Sequence, residues 1–188
     1  DPDAISEGVR HPERFLGLHF FSPANVMKLL EIVPTAATAP EMLAAGFALA
    51  RQLGKIPVRA GICDGFIGNR ILKVVRAQAE RLLLSGATPA SVDAAVRAFG
   101  LPMGPFEAQD LGGLDIAAFQ RKAARAHGET PFAPVADRLC AIERFGQKSA
   151  GGWYDYLPGE RTPKPSDAVA AIIAEEAVGR PQRRWEEA

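Results

Sequence analysis

The sequence predicts a mainly α protein with a short α/β segment at its start. Three features predict it. Short apolar runs of strand length are confined to residues 1–62. From residue 63 onward, apolar residues recur at helical spacing, and only 153–156 offers a strand candidate. In that second part a glycine closes one helical run after another, at Gly86, Gly100 and Gly128. The change of character places a boundary near Ile62 to Asp64 and gives two segments, 1–62 and 63–188.

Taken in order, residues 15–20, "FLGLHF", are aromatic and aliphatic and read as a short buried strand. Pro23 and Asn25 mark a turn, and 28–33, "KLLEIV", read as a second strand. Thr38 as N-cap, Pro40 in the first turn and Glu41 then open a helix that Gly54 ends, with Met42, Ala45, Leu49 and Leu53 on its apolar face. "KIPVRA" at 55–60 is a third short strand, and Pro57 places it at a sheet edge or strand end. Asp64-Gly65 then opens a long periodic run that ends at Gly86. Thr88-Pro89 caps the next helix. "GPFEAQDLGG", "LDIAAFQRKAARAHG", "APVADRLCAIERFG" and "DAVAAIIAEEAV" continue the helical pattern. The whole reads as about five helices joined by short loops, with an aromatic loop "GGWYDYLPG" before the last.

Composition narrows the function classes. Nearly half of the 188 residues are hydrophobic, enough for a core without disulfides or metals. Lys plus Arg equals Asp plus Glu at 22 each, which argues against a nucleic-acid partner. Arg180, Arg183 and Arg184 form a basic run flanked by Glu175, Glu176, Glu186 and Glu187, read as a solvated tail. No stretch approaches a membrane span, and residues 1–14 are charged with no apolar signal core. Cys63 and Cys140 lack a CxxC partner and form no zinc or redox motif. They read as small buried hydrophobes in a reducing compartment. Arginine dominates the basic residues and alanine is abundant, which suits a GC-rich bacterial genome, and the expected location is the cytoplasm.

The chemistry-bearing candidates are few. His19, one of three histidines, ends an apolar run. It is either a strand residue held by a backbone partner or half of a catalytic pair. The natural partner is Glu31, flanked by Leu29, Leu30, Ile32 and Val33. A carboxylate in such a run is costly unless paired. If the two strands are neighbours, the side chains can meet, and a carboxylate beside an imidazole suits a general base. Asn69 lies in the first turns of the long helix, among Gly65 and Gly68, where a ligand could approach closely. His11 and His127 read as surface residues, and Asp110 and Asp115 as helix caps. No G-x-G-x-x-G, P-loop or G-x-S-x-G is present, and no metal-ligand set.

Four blocks in order, "GLHFFSPANVMKLLEIV", "DGFIGNRIL", "GLPMGPFEAQDLGGLD" and "FGQKSAGGWYDY", resemble the L-3-hydroxyacyl-CoA dehydrogenases of fatty-acid β-oxidation, over about His11 to Tyr156. The resemblance implies oxidation of L-3-hydroxyacyl-CoA to 3-ketoacyl-CoA with NAD. It implies that His19 is the catalytic histidine, that Glu31 orients it and that Asn69 helps hold the substrate. Lys148 matches a lysine that reaches the cofactor from the helical domain. Ser22 stands where many members have an asparagine touching the cofactor, and a serine is shorter. The family's nucleotide-binding domain carries a glycine-rich phosphate loop that this chain lacks. Residues 1–62 are therefore expected to be the end of a Rossmann domain and 63–188 the helical domain with an extension. The family's upstream serine is expected outside the chain, with Ser6 an ordinary loop residue.

The residues after Tyr156 resemble the bacterial multifunctional fatty-acid oxidation enzymes. A homodimer through the helical domain is the expected assembly. The alternative reading is a non-catalytic helical module for dimerisation and acyl-CoA binding.

Overall fold

The computed structural model describes residues 1–183. It divides into two compact units, the first Asp1–Leu72 and the second beginning at Lys73. The division falls within a helix, whereas the sequence changes character at 62–64.

The first unit opens with α1 (Pro2–Ser6), capped by the Asp1 carboxylate, which accepts from the Asp3 N–H. Ser6 is thus a helical residue and buried, not the loop residue expected; its hydroxyl donates to the Asp3 carbonyl at 2.8 Å. Three strands follow, β1 (Gly17–Phe20), β2 (Leu29–Val33) and β3 (Ile56–Arg59), in the order β1-β2-β3. β1 pairs antiparallel with β2, and β3 pairs parallel with β2. Central β2 is the most buried of the three, which is why its sequence is apolar on both faces, broken only by Glu31, rather than an alternation. Pro57 lies in β3, at an edge of this sheet, where a missing backbone N–H is tolerated.

α2 (Pro40–Gln52) joins β2 to β3 and packs on both. Its cap is Ala39 with no side-chain bond, not Thr38. The Thr38 hydroxyl instead donates to the Phe15 carbonyl at 2.8 Å and accepts from the Thr35 N–H. The expected apolar face also shifts by one position. Gly46 and Ala50 are buried, with Leu43 and Phe47 packed against Leu30 and Ile32. Leu49 and Leu53 are exposed. Both phases of this helix are apolar, so periodicity alone could not choose between them.

α3 (Gly68–Leu84) runs into the second unit, which adds α4 (Pro89–Phe99), α5 (Pro105–Gly112), α6 (Leu114–Ala126), α7 (Pro134–Ala141) and α8 (Asp167–Glu176). From residue 63 the described chain thus holds six α-helices rather than about five, and residues 153–156 form only isolated bridges. The predicted Thr88 cap is present as a capping box with Ser91. One core holds the unit: Leu83, Phe106, Leu114, Val135, Leu139, Trp153 and Val169 are all nearly inaccessible to solvent.

Buried carboxylates organise that core. Asp93 on α4 accepts from the Phe106 and Glu107 N–H groups at the start of α5, and from the Tyr154 hydroxyl at 2.7 Å. Glu80 on α3 accepts from Val135 and Ala136 at the start of α7. Asp110 corrects the sequence reading, because it caps no helix among the described residues. It lies near the end of α5, buried, and accepts from the Trp153 and Tyr154 N–H groups and the Tyr156 hydroxyl. That contact folds the aromatic loop into the core. Asp115 lies in the first turn of α6 and pairs with Lys148.

The basic run is partly described. Arg180 and Arg183 are exposed, and the Arg183 N–H donates to the Ser85 carbonyl at 2.8 Å. Arg184, Glu186 and Glu187 lie outside the described residues. Cys63 is exposed and Cys140 half-buried, so neither is the fully buried hydrophobe expected. Cys63 falls in the turn before α3 rather than on a core face. No helix among the described residues is long and apolar enough to cross a membrane.

Candidate active site

His19 and Glu31 are cross-strand neighbours in the β1–β2 ladder. Directly opposed residues on adjacent strands bring their side chains to one face. Here the His19 Nδ1 lies 2.6 Å from the Glu31 Oε2. The other carboxylate oxygen, Oε1, accepts from the Ile67 N–H at 2.9 Å and the Gly68 N–H at 2.8 Å. These are the amide just before α3 and the first amide of α3, which the helix itself leaves without an acceptor. Glu31 is wholly inaccessible to solvent, and the three donors compensate its burial.

The turn before α3 makes this convergence possible. Gly65 adopts φ 74° and Phe66 φ 45°. A left-handed backbone is uncommon for a bulky residue and is maintained where surrounding contacts fix it. The Phe66 ring meets His19 edge-on, with centroids 5.4 Å apart, and Phe21 meets it at 5.0 Å. Gly68 is required by space. A Cβ there would lie 2.5 Å from the Phe21 ring carbon Cζ.

The imidazole is therefore fixed by two rings and one carboxylate. Its side chain remains one-third exposed, and Nε2 has no partner among the described residues. A carboxylate at Nδ1 selects the tautomer with the proton on Nδ1 and a lone pair on Nε2. That is the form a general base needs. Asn69 follows Gly68 in the first turn of α3 and is half-buried. Its amide has no hydrogen-bond partner among the described residues.

Ser22 lies just past β1, in an exposed segment, 22–28, pinned by Lys55, whose ammonium donates to the Ala24 and Met27 carbonyls. Lys148 belongs to the second unit, where its ammonium lies 2.5 Å from the Asp115 carboxylate. The lysine beside it holds the Asp115 carboxyl below its usual range. His11 and His127 are both exposed. The sequence reading missed the two backbone amides of α3 and the two flanking phenylalanines. "DGFIG" beside a buried Glu carried the signal for the amides, since a glycine-rich turn into a helix presents N–H groups to an anion.

Residues 1–63 match the sequence profile of the 3-hydroxyacyl-CoA dehydrogenase NAD binding domain, and residues 65–156 that of the 3-hydroxyacyl-CoA dehydrogenase C-terminal domain. The chain belongs to the 3-hydroxyacyl-CoA dehydrogenase family. Among its relatives, the peroxisomal bifunctional enzyme of Homo sapiens is 41% identical over 93% of this chain and 26% of that protein. The fatty acid oxidation complex subunit alpha of a Shewanella species is 37% identical over 88% of this chain and 24% of that protein. The crystal structure of 3-hydroxybutyryl-CoA dehydrogenase from Escherichia coli superposes with a TM-score of 0.74 at 39% identity, over 89% of this chain and 38% of that one. The chain thus spans about a quarter of the length of the curated relatives it matches.

The chain's residues fit one end of NAD better than the other. An accessible imidazole edge and the Ser22 hydroxyl lie at and just beyond the end of β1. No glycine-rich turn of the dinucleotide type joins a strand to a helix in this sequence.

Proposed function

We propose that this chain carries the acid–base centre of an NAD-dependent L-3-hydroxyacyl-CoA dehydrogenase of fatty-acid β-oxidation, within a multifunctional enzyme. The observation that carries the reading is the buried Glu31 carboxylate bonded at once to His19 and to the start of α3. His19 Nε2 takes the proton of the substrate's 3-hydroxyl group. The C3 hydrogen leaves with its electron pair, and the C–O bond becomes a carbonyl. Glu31 stabilises the imidazolium that results. The Asn69 amide donates to a substrate carbonyl oxygen and holds the thioester chain near His19. NAD supplies the hydride acceptor, with Ser22 and Lys148 as this chain's contacts to it. Residues 1–62 act as the end of the nucleotide domain and 63–188 as the helical domain.

The test is NADH oxidation with acetoacetyl-CoA by the polypeptide encoded by the complete gene. His19→Ala should lower the rate by ~10²–10⁴. Near-full activity in that variant would return His19 to an ordinary strand residue. The 188-residue chain alone, with no dinucleotide phosphate loop, should consume no NADH.

A second reading rests on α3 and α6. Ile71, Val74, Ile116 and Phe119 are exposed apolar residues, Phe119 at 75%. Such surface suits association. In this reading the chain is a helical homodimerisation module that binds acyl-CoA without reacting. A homodimer through the helices is compatible with the catalytic reading too. Sedimentation showing a strict monomer at high micromolar concentration would remove it from both.

A further inference from the structure

The second unit holds a cleft of about 340 Å³ between α3, α6 and the segment that leads into α7. That volume is within the range of small-molecule sites. Its walls are mostly apolar, with Ala77, Ala117, Ala124 and Phe132 among them. Two guanidinium groups, Arg76 of α3 and Arg121 of α6, border the same space. Arg121 donates through Nε to the Asp137 carboxylate at 2.8 Å. Its Nη2 is buried and has no hydrogen-bond partner among the described residues. The Cys140 thiol, a weak acceptor, interacts with the same guanidinium. Buried polar atoms in folded proteins are nearly always hydrogen-bonded, which makes this guanidinium exceptional.

Arg76 has no carboxylate partner among the described residues, and burial beside Arg121 lowers its pKa. The cleft's charges are Lys73, Arg76 and Glu80 from α3, Arg121 from α6, and Glu129. Burial pushes the Glu80 carboxyl up to about 7, so near neutrality it is only partly charged. Around Arg76 and Arg121 there is an excess of positive charge, but acidic groups stand close by. One negative charge is accommodated there more readily than two.

We propose that this cleft binds an amphipathic monocarboxylate, its carboxylate held by Arg76 and Arg121 and its hydrocarbon chain lying along Ala77, Ala117 and Phe132. Guanidinium and carboxylate match as planar forks, and a desolvated pair is favoured over a hydrated one only when hydrogen bonds are complete. Arg121, whose Nη2 has no hydrogen-bond partner among the described residues, is the guanidinium that a ligand carboxylate would complete. The cleft's lining residues all belong to the second unit and include neither His19 nor Glu31, and the inference does not depend on the dehydrogenase reading.

The experiment is calorimetric titration of the 188-residue chain with octanoate, with octan-1-ol and inorganic phosphate as comparisons. Octanoate should bind saturably and with one-site stoichiometry, and the other two at least tenfold more weakly. Arg76→Gln and Arg121→Gln should each weaken octanoate at least tenfold. Because Arg121 also anchors Asp137, a loss of folding in that variant leaves Arg76→Gln as the deciding case. Octanol binding as tightly as octanoate would make the cleft merely apolar and overturn the proposal. Phosphate binding as tightly would overturn the ligand class. Octanoate binding unchanged in Arg76→Gln, no binding, or binding only after dilution separates associated chains would each overturn the site.

Discussion

The Glu31 carboxylate binds the Gly68 N–H at 2.8 Å, so the residue that orients His19 also caps the helix that carries Asn69. The same device recurs twice. The N-cap of α5 is Gly104 and that of α7 is Ala133, neither of which offers a capping side chain. Asp93 and Glu80 reach those amides from other helices. A negative group at a helix start also opposes the positive end of the helix dipole. In each case a distant residue does what a local Ser or Asp does elsewhere, and it couples helix formation to tertiary packing.

Replacing Glu31 separates the two tasks. In Glu31→Gln the amide oxygen can still accept from α3, so folding should be largely retained. Its NH2 group would then face Nδ1 and donate to it. That selects the opposite tautomer, with Nε2 protonated and unable to act as a base. The rate of L-3-hydroxybutyryl-CoA oxidation with NAD, the direction in which Nε2 must accept a proton, should fall by ~10²–10⁴ while the thermal midpoint changes little. Glu31→Ala leaves the Ile67 and Gly68 amides without an acceptor and should also lose roughly 1–3 kcal/mol of stability in denaturant titration. Equal loss of stability in both variants would refute the division.

Gly68→Ala tests the space beside the imidazole. The added methyl would lie 2.5 Å from the Phe21 ring, which in turn rests on His19 at 5.0 Å. Alanine is the better helix former, so a purely local account predicts stabilisation. The contact predicts the reverse, a loss of roughly 1–3 kcal/mol from overpacking. Chemical denaturation gives the sign. A shift of the His19 ring resonances by NMR would show that the displacement reaches the imidazole.

Much of this was legible in the sequence for a physical reason. Strands of four or five residues joined by a short turn can scarcely avoid being neighbours, so His19 and Glu31 were a readable pair. Helices with one apolar stripe and a glycine end, such as α4, were readable for the same local reason. α2 was not, because its apolar residues occupy two phases and only the sheet beneath selects Leu43, Gly46, Phe47 and Ala50. Asp110 was misread because its partners, Trp153, Tyr154 and Tyr156, are more than forty residues away. Local signals can suggest that a carboxylate is a cap, but only tertiary structure says what it caps.

Glu80 gives a prediction in pH. Burial raises its carboxyl from 4.5 to about 7, against the smaller opposing effect of the Val135 and Ala136 amides. Between those two values the folded chain holds a proton that the unfolded chain has released. Stability from this group is therefore greatest below the unfolded pKa and declines as pH rises through the window. Glu80→Gln keeps an oxygen for the Val135 N–H and has no charge to bury. The stability of Glu80→Gln relative to the native chain should rise by roughly 3 kcal/mol between pH 4.5 and pH 8, most of it by pH 7. The Asp110 carboxyl, pushed up to about 6 by its own burial, titrates in both proteins and cancels in the difference. Urea titrations of the two proteins across this range measure that difference directly. If it stays constant with pH, Glu80 is charged throughout, and the Arg121 guanidinium outweighs its burial.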